Sequence, residues 1–178
     1  LLRDQQEIPW TIVRPPAVYG PGDREVLPVL KMIRRGLIVH AGPRDQRLSL
    51  LHVDDLVGAI LSWLSAPEAC LHQTYAIDDG APGGYDWTAI GHAVVHRELP
   101  VVRLPYWLLR ASATANLLMS RLLGYSPMLS PGKVRELVQA DWLCDNTAYS
   151  EATGWKPGLD LSRGVRQIFQ PDNDGSAA

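Results

Sequence analysis

The chain has 178 residues, 46% of them hydrophobic, and a net charge of −2. That length suits one domain, or one domain and a small part of another. The near-neutral balance argues against a nucleic-acid partner, because Arg34-Arg35 is too short a cluster to form a basic patch; two distant cysteines, Cys70 and Cys144, lack metal spacing and read as plain thiols of a cytoplasmic protein.

The chain opens on Leu1-Leu2-Arg3-Asp4-Gln5-Gln6 rather than on Met, which reads as the inside of a helix. Trp10 to Val13 is a short apolar run that predicts a buried strand. Pro15 and Pro16 then fix φ and offer no N–H, so the strand must stop, and Gly20 and Gly22 permit a tight loop. Glu25 to Arg35 predicts a helix closed by Gly36. Ile38-Val39 and Leu48 to Leu51 are strand candidates with a polar turn between them. Asp54 or Asp55 can open the next helix as an N-cap or first-turn acid, with Leu56 to Leu64 continuing it. Thr74 to Ile77 predicts a second buried strand, closed by Asp78-Asp79-Gly80. Asp86 caps a helix to about Arg97, and Val101 to Leu104 is a further strand. Pro131 can open a helix over 132–138, and Leu161 to Phe169 is the last.

The stretch from Leu104 to Leu123 has about the length of a membrane span but carries Arg110 and Arg121. Trp107, Ala111, Ala115, Leu118 and Leu122 recur at helical spacing, with Arg110, Thr114 and Arg121 gathered away from them. This predicts an amphipathic helix packed through its apolar stripe, in preference to membrane contact. No secretory signal opens the chain. Alternating helices and strands predict an α/β domain over residues 1–170, with a disordered polar tail at 171–178. Only 10–13 and 74–77 look like members of a main parallel sheet; the remainder reads as a substrate-covering region.

Arg14-Pro15-Pro16-Ala17-Val18-Tyr19-Gly20-Pro21-Gly22-Asp23 and Ser49-Leu50-Leu51-His52-Val53-Asp54-Asp55-Leu56 resemble, in order, two signatures of the extended short-chain dehydrogenase/reductases, the NAD-dependent epimerase/dehydratases. The resemblance continues at Asp145-Asn146-Thr147, Gly154-Trp155-Lys156-Pro157 and Leu161-Ser162-Arg163-Gly164-Val165. It implies an extended Rossmann-type fold and NAD or NADP as cofactor. That family's Gly-x-x-Gly-x-x-Gly turn and Tyr-x-x-x-Lys pair are absent here, so no catalytic residue is assigned. The chain is therefore expected to be the carboxy-terminal portion of a longer enzyme. It would hold the end of the parallel sheet and a mostly helical substrate region.

Carried over residue by residue, Pro15, Pro16 and Val18 would line the nicotinamide side of the cofactor, and Ala17 and Tyr19 would meet the substrate. Family members acting on nucleotide sugars often place Asn at position 17 and Arg at position 48. Ala17 and Leu48 stand there instead, which shifts the expectation to an apolar alcohol of the kind handled by the 3β-hydroxysteroid dehydrogenase-like branch. The alternatives are a non-catalytic relative, acting as a dinucleotide sensor or assembly subunit, and an inactive fragment.

His52 and Asp54 are read as parts of a strand-to-helix junction rather than as a proton relay. His92 and His96 sit one helical turn apart, but Ala93 replaces the Glu of a metalloprotease helix, so no metal site is expected. A strand lacking upstream neighbours would leave an open edge and apolar surface, predicting self-association, including as a homo-oligomer.

Overall fold

The computed structural model describes residues 8–65, 67–124 and 131–170. The helix expected over 1–6 and the tail expected over 171–178 lie outside them. The described strands are β1 (Thr11–Arg14), β2 (Ala17–Tyr19), β3 (Ile38–His40), β4 (Arg47–Leu48), β5 (Leu50–His52), β6 (Gln73–Ala76), β7 (Val101–Arg103) and β8 (Asp141–Trp142). The helices are α1 (Leu27–Arg34), α2 (Val53–Ser65), α3 (Trp87–Val95), α4 (Tyr106–Leu123), α5 (Pro131–Leu137), α6 (Thr147–Thr153) and α7 (Leu161–Phe169).

The strands form four parallel pairs: β1 with β6, β2 with β5, β3 with β7, and β4 with β8. Each pair joins segments distant in sequence, as parallel pairing requires a crossover. The two segments expected in the main sheet do pair, Ile12 opposite Thr74 and Val13 opposite Tyr75.

Pro15 and Pro16 interrupt the first strand as expected, but the chain resumes at once as β2. The prolines occupy the two-residue gap between β1 and β2, where no ladder N–H is demanded. The run expected as one strand over 48–51 is two, because its partner changes at Ser49: β4 follows β8 and β5 follows β2. α6 and β8 were not apparent from periodicity, being seven and two residues long.

β5 is the seam of the fold. Leu50 joins a core with Tyr19, Leu30, Ile33, Ile38, Ile90, Ala93, Leu161 and Val165, covered by α1, α3 and α7. Leu51, on the opposite face by strand alternation, joins Ala59, Cys70, Tyr75, Ile77, Tyr149 and Trp155. In that second core the Tyr149 hydroxyl donates to the Ala59 carbonyl at 2.6 Å, tying α6 to α2, and burial pushes its pKa up to about 12.

Asp23 accepts from the amides of Glu25, Val26 and Leu27 at 2.9, 2.8 and 2.7 Å, opening α1. Asp86 accepts from Ala89 N at 2.7 Å and Asp160 from Arg163 N at 2.8 Å, capping α3 and α7. Asp54 and Asp55 lie in the first turn of α2, one of the two roles expected of them. The Asp55 carboxylate reaches away from its own helix and accepts from Gly158 N at 2.8 Å and Leu159 N at 3.0 Å.

α4 is also corrected. It is amphipathic, but its packed side is the reverse of the one expected. Trp107 is 69% and Leu118 56% exposed, whereas Ala113 and Ser120 are buried. The element packed on it is the short α5, whose fully buried residue is Val134. The packed side also carries half-buried Leu109 and Leu117, while Trp107 and Leu118 stay outside the contact with the seven-residue α5.

Candidate functional site

In open α/β sheets, ligands bind outside the carboxyl ends of parallel strands. Two such ends carry chemistry here. The first is formed by β1 and β6, which finish in register at Arg14 and Ala76. The second is formed by β3 and β7, which finish at His40 and Arg103.

At the first end, Pro15 and Ala17 are exposed and Pro16 and Val18 half-buried, so four of the five residues expected in the site are open to a ligand. Tyr19 is not. It is 1% exposed, and its ring lies edge-on to His52 at 5.3 Å between centroids. A Cβ on Gly164 would fall 2.9 Å from Tyr19 Cζ, so α7 lies directly on the ring. The expected substrate contact from Tyr19 is therefore corrected: strand alternation turns its side chain into the core. Its hydroxyl is buried without a hydrogen-bond partner among the described residues, and desolvation raises its pKa far above the ordinary phenol value.

Behind these residues stands a polar cluster that sequence reasoning missed. Ser49 Oγ donates to Asp78 Oδ2 at 2.7 Å and accepts from Cys144 N at 3.1 Å. Asp78 Oδ1 accepts from Gly80 N at 2.9 Å. Next to it, the Tyr85 hydroxyl donates to Asp79 Oδ2 at 2.6 Å, and Ala81 N donates to Asp79 Oδ1 at 3.2 Å. Burial raises the Asp79 carboxyl above its ordinary pKa, with the Tyr85 and Ala81 hydrogen bonds opposing. Burial also raises the Tyr85 phenol, and the Asp79 hydrogen bond adds to it. The half-buried Cys144 thiol is pushed up by desolvation and then by Asp78, with Arg14 pulling the other way. The available signal was Asp78-Asp79-Gly80 at a strand end, read only as a turn.

At the second end, Ala41, Pro43, Arg103, Leu104, Pro105, Tyr106 and Val138 line an open, mostly apolar cleft of about 500 Å³. His40, beside it in sequence, is buried and stacked on Trp87 at 5.4 Å. Desolvation, then Arg103, holds its pKa below the ordinary imidazole value.

His52 is fully buried, and its Nδ1 accepts from Asp54 N at 3.3 Å, which fixes the β5-to-α2 junction. His92 and His96 pair edge to face at 6.0 Å, and no metal-holding cluster of His, Cys, Asp and Glu occurs among the described residues.

Residues 1–77 match the NAD dependent epimerase/dehydratase family. The chain is 30% identical over 152 residues to the ceramide reductase of Caulobacter vibrioides, covering 83% of this chain and 47% of that protein. It is 28% identical over 162 residues to the UDP-glucose 4-epimerase of Vibrio cholerae, covering 89% and 45% respectively. Its fold is similar to that of Pal from Bacillus thuringiensis, with a TM-score of 0.62 at 13% identity over 92% of this chain and 45% of that one. The chain thus spans about half the length of the curated relatives it matches. Its motifs stand in the order found in the NAD dependent epimerase/dehydratase family, and the chain is similar in sequence to members of that family and in fold to a solved structure.

Proposed function

We propose that this chain supplies the nicotinamide-side wall and the substrate cover of an NAD(P)-dependent oxidoreductase, epimerase or dehydratase. The observation that carries the reading is the placement of Pro15, Pro16, Ala17 and Val18 at the carboxyl end of the β1–β6 pair. An apolar, rigid surface there excludes water from a bound ring. NAD or NADP, when bound, supplies the hydride acceptor or donor. Pro15, Pro16 and Val18 suit the nicotinamide end of that cofactor. The starts of α1, α3 and α7 are occupied by Asp23, Asp86 and Asp160, so none of them is free to receive a pyrophosphate.

For the substrate we propose an apolar alcohol or ketone, sterol- or lipid-like. Ala17 offers no amide to a sugar, and the second cleft is mostly apolar. Arg47, the nearest guanidinium to position 48, reaches Asp86 at 3.8 Å instead. One relative is named for ceramide and another for a nucleotide sugar, so the choice rests on these residues.

The test is the complete gene product, assayed for NADH- or NADPH-dependent turnover of long-chain and sterol ketones, with thermal shifts against UDP- and TDP-sugars in parallel. Turnover of an apolar ketone is expected. Stabilisation by a sugar nucleotide alone would overturn the substrate class, and turnover unaffected by Val18→Asp would overturn the wall.

A further inference from the structure

We infer that α4 is an interfacial helix that docks this protein on an anionic lipid surface. Trp107, Leu108, Ala111, Ala115, Leu118 and Met119 fall on one side of the helix by its 3.6-residue period, and all six are exposed. Trp107, Leu118 and Met119 are 69%, 56% and 53% exposed. The side turned to the protein holds the buried residues Ala113 and Ser120 beside half-buried Leu109, Asn116 and Leu117, so the largest apolar side chain, Trp107, is on the outside. Ordinary surface helices are arranged the other way round.

Charge identifies the occupant. Between Glu98 and Glu136 the sequence contains Arg103, Arg110, Arg121, Lys133 and Arg135 and no acid, in a chain whose net charge is −2. Arg110 and Arg121 border the apolar stripe on α4 and make no ion pair among the described residues. A helix with Trp and Leu on one face and cations beside them binds in the headgroup layer of anionic membranes. A second copy packed face to face would bring the same arginines towards one another, which is unfavourable. No described helix is long and apolar enough to cross a membrane, so the geometry is that of a helix lying on the surface. A second exposed apolar stripe, Val57, Ile60, Leu61 and Leu64 on α2, follows the acids Asp54 and Asp55 and lacks the cations; it serves as an internal control.

The experiment is vesicle flotation of the complete gene product, using phosphatidylcholine alone or mixed with phosphatidylglycerol. Binding to the anionic vesicles is expected, falling with salt and accompanied by a blue shift of Trp emission that Trp107→Phe removes. The combined change Trp107→Ser, Leu118→Ser, Met119→Ser should abolish binding. Arg110→Glu with Arg121→Glu should weaken it about thirtyfold or more, two cations being worth about fivefold each, and this pair tests the inference even if the triple variant misfolds. Leu61→Ser with Leu64→Ser should leave binding unchanged. Absence of flotation, flotation indifferent to both α4 variants, equal loss in the α2 control, or a lipid-free dimer that the triple variant dissolves would each overturn the inference.

Discussion

Replacing Asp55 by Ala should destabilise the chain far more than loss of a helix cap. The Asp55 side chain is almost fully buried, and its two oxygens serve two amides of one distant loop, Gly158 at 2.8 Å and Leu159 at 3.0 Å. A hydrogen bond to a charged group contributes about 1.5–3 kcal/mol. Two of them, at half-buried amides, give about 3 kcal/mol, against about 1 kcal/mol for an N-cap. In a chain of this size that is roughly 6–12 °C in Tm. Asp54 is the internal reference: its side chain is 65% exposed, and Asp54→Ala should stay within about 0.5 kcal/mol. Asp55→Asn keeps one acceptor but turns an NH2 towards the other amide, so about 2 kcal/mol should be lost. Urea denaturation of the four proteins at neutral pH is the assay. If Asp55→Ala loses no more than about 1 kcal/mol, the carboxylate is an ordinary cap and its link to the 158–159 loop carries no energy.

Tyr19→Phe should be neutral or stabilise by up to about 1 kcal/mol, since it removes a buried hydroxyl with no partner among the described residues; a clear loss in chemical denaturation would mean that a water or ligand holds that hydroxyl. Ser49→Ala breaks both the bond to Asp78 and the one from Cys144 N, both within the buried cluster, and should cost about 2–4 kcal/mol by the same assay. Asp79 has a folded pKa above its ordinary 3.8, so its contribution to stability is complete at lower pH and is lost as pH rises through the raised value. Asp79→Asn should therefore flatten the fall of unfolding free energy from acid towards neutral pH, and parallel profiles for the two proteins would refute the assignment. The 178-residue chain by itself should show no NAD(P)H turnover and no tight NAD binding, because it contains neither Tyr-x-x-x-Lys nor the Gly-rich turn; calorimetry giving micromolar affinity, about −8 kcal/mol, would mean that the cofactor site has been misplaced.

The sequence made the elements legible where local chemistry decides them. Asp86 caps the helix it was expected to cap, and the boundaries of α7 agree at both ends. Ile12 and Thr74 lie opposite one another because two short apolar runs were both isolated between breakers. What could not be read was set by partners far along the chain. The split of 48–51 depends on β8, more than ninety positions away, which periodicity cannot see. The direction of the Asp55 side chain depends on residues 158–159. The outward turn of Trp107 depends on how little surface α5 offers. The Ser49–Asp78 pair was hidden for the same reason, since neither residue belongs to a local motif that demands the other.

The same long-range pairs decide how rigid the candidate wall can be. β2 has only three residues, and its partner β5 has three. So short a parallel ladder cannot hold Ala17 and Val18 in place by its own hydrogen bonds. Position is supplied instead from both sides of the seam. Leu50 and Tyr19 are clamped under α7, where Gly164 leaves no room for a Cβ. Leu51 is clamped under α2 and α6 through Ala59 and Tyr149. Asp55 then joins the two sides, because the helix that covers Leu51 holds the loop that leads into α7. In this chain the residues resembling the family's second signature are placed by packing and by backbone hydrogen bonds. His52 is sealed between Tyr19 and the start of α2, and Asp55 fastens the helix that keeps Tyr19 inside. On the proposed reading, the exposed residues Pro15 and Ala17 are then free to differ with the ligand, while the buried ones beneath them would fix where that ligand's wall stands.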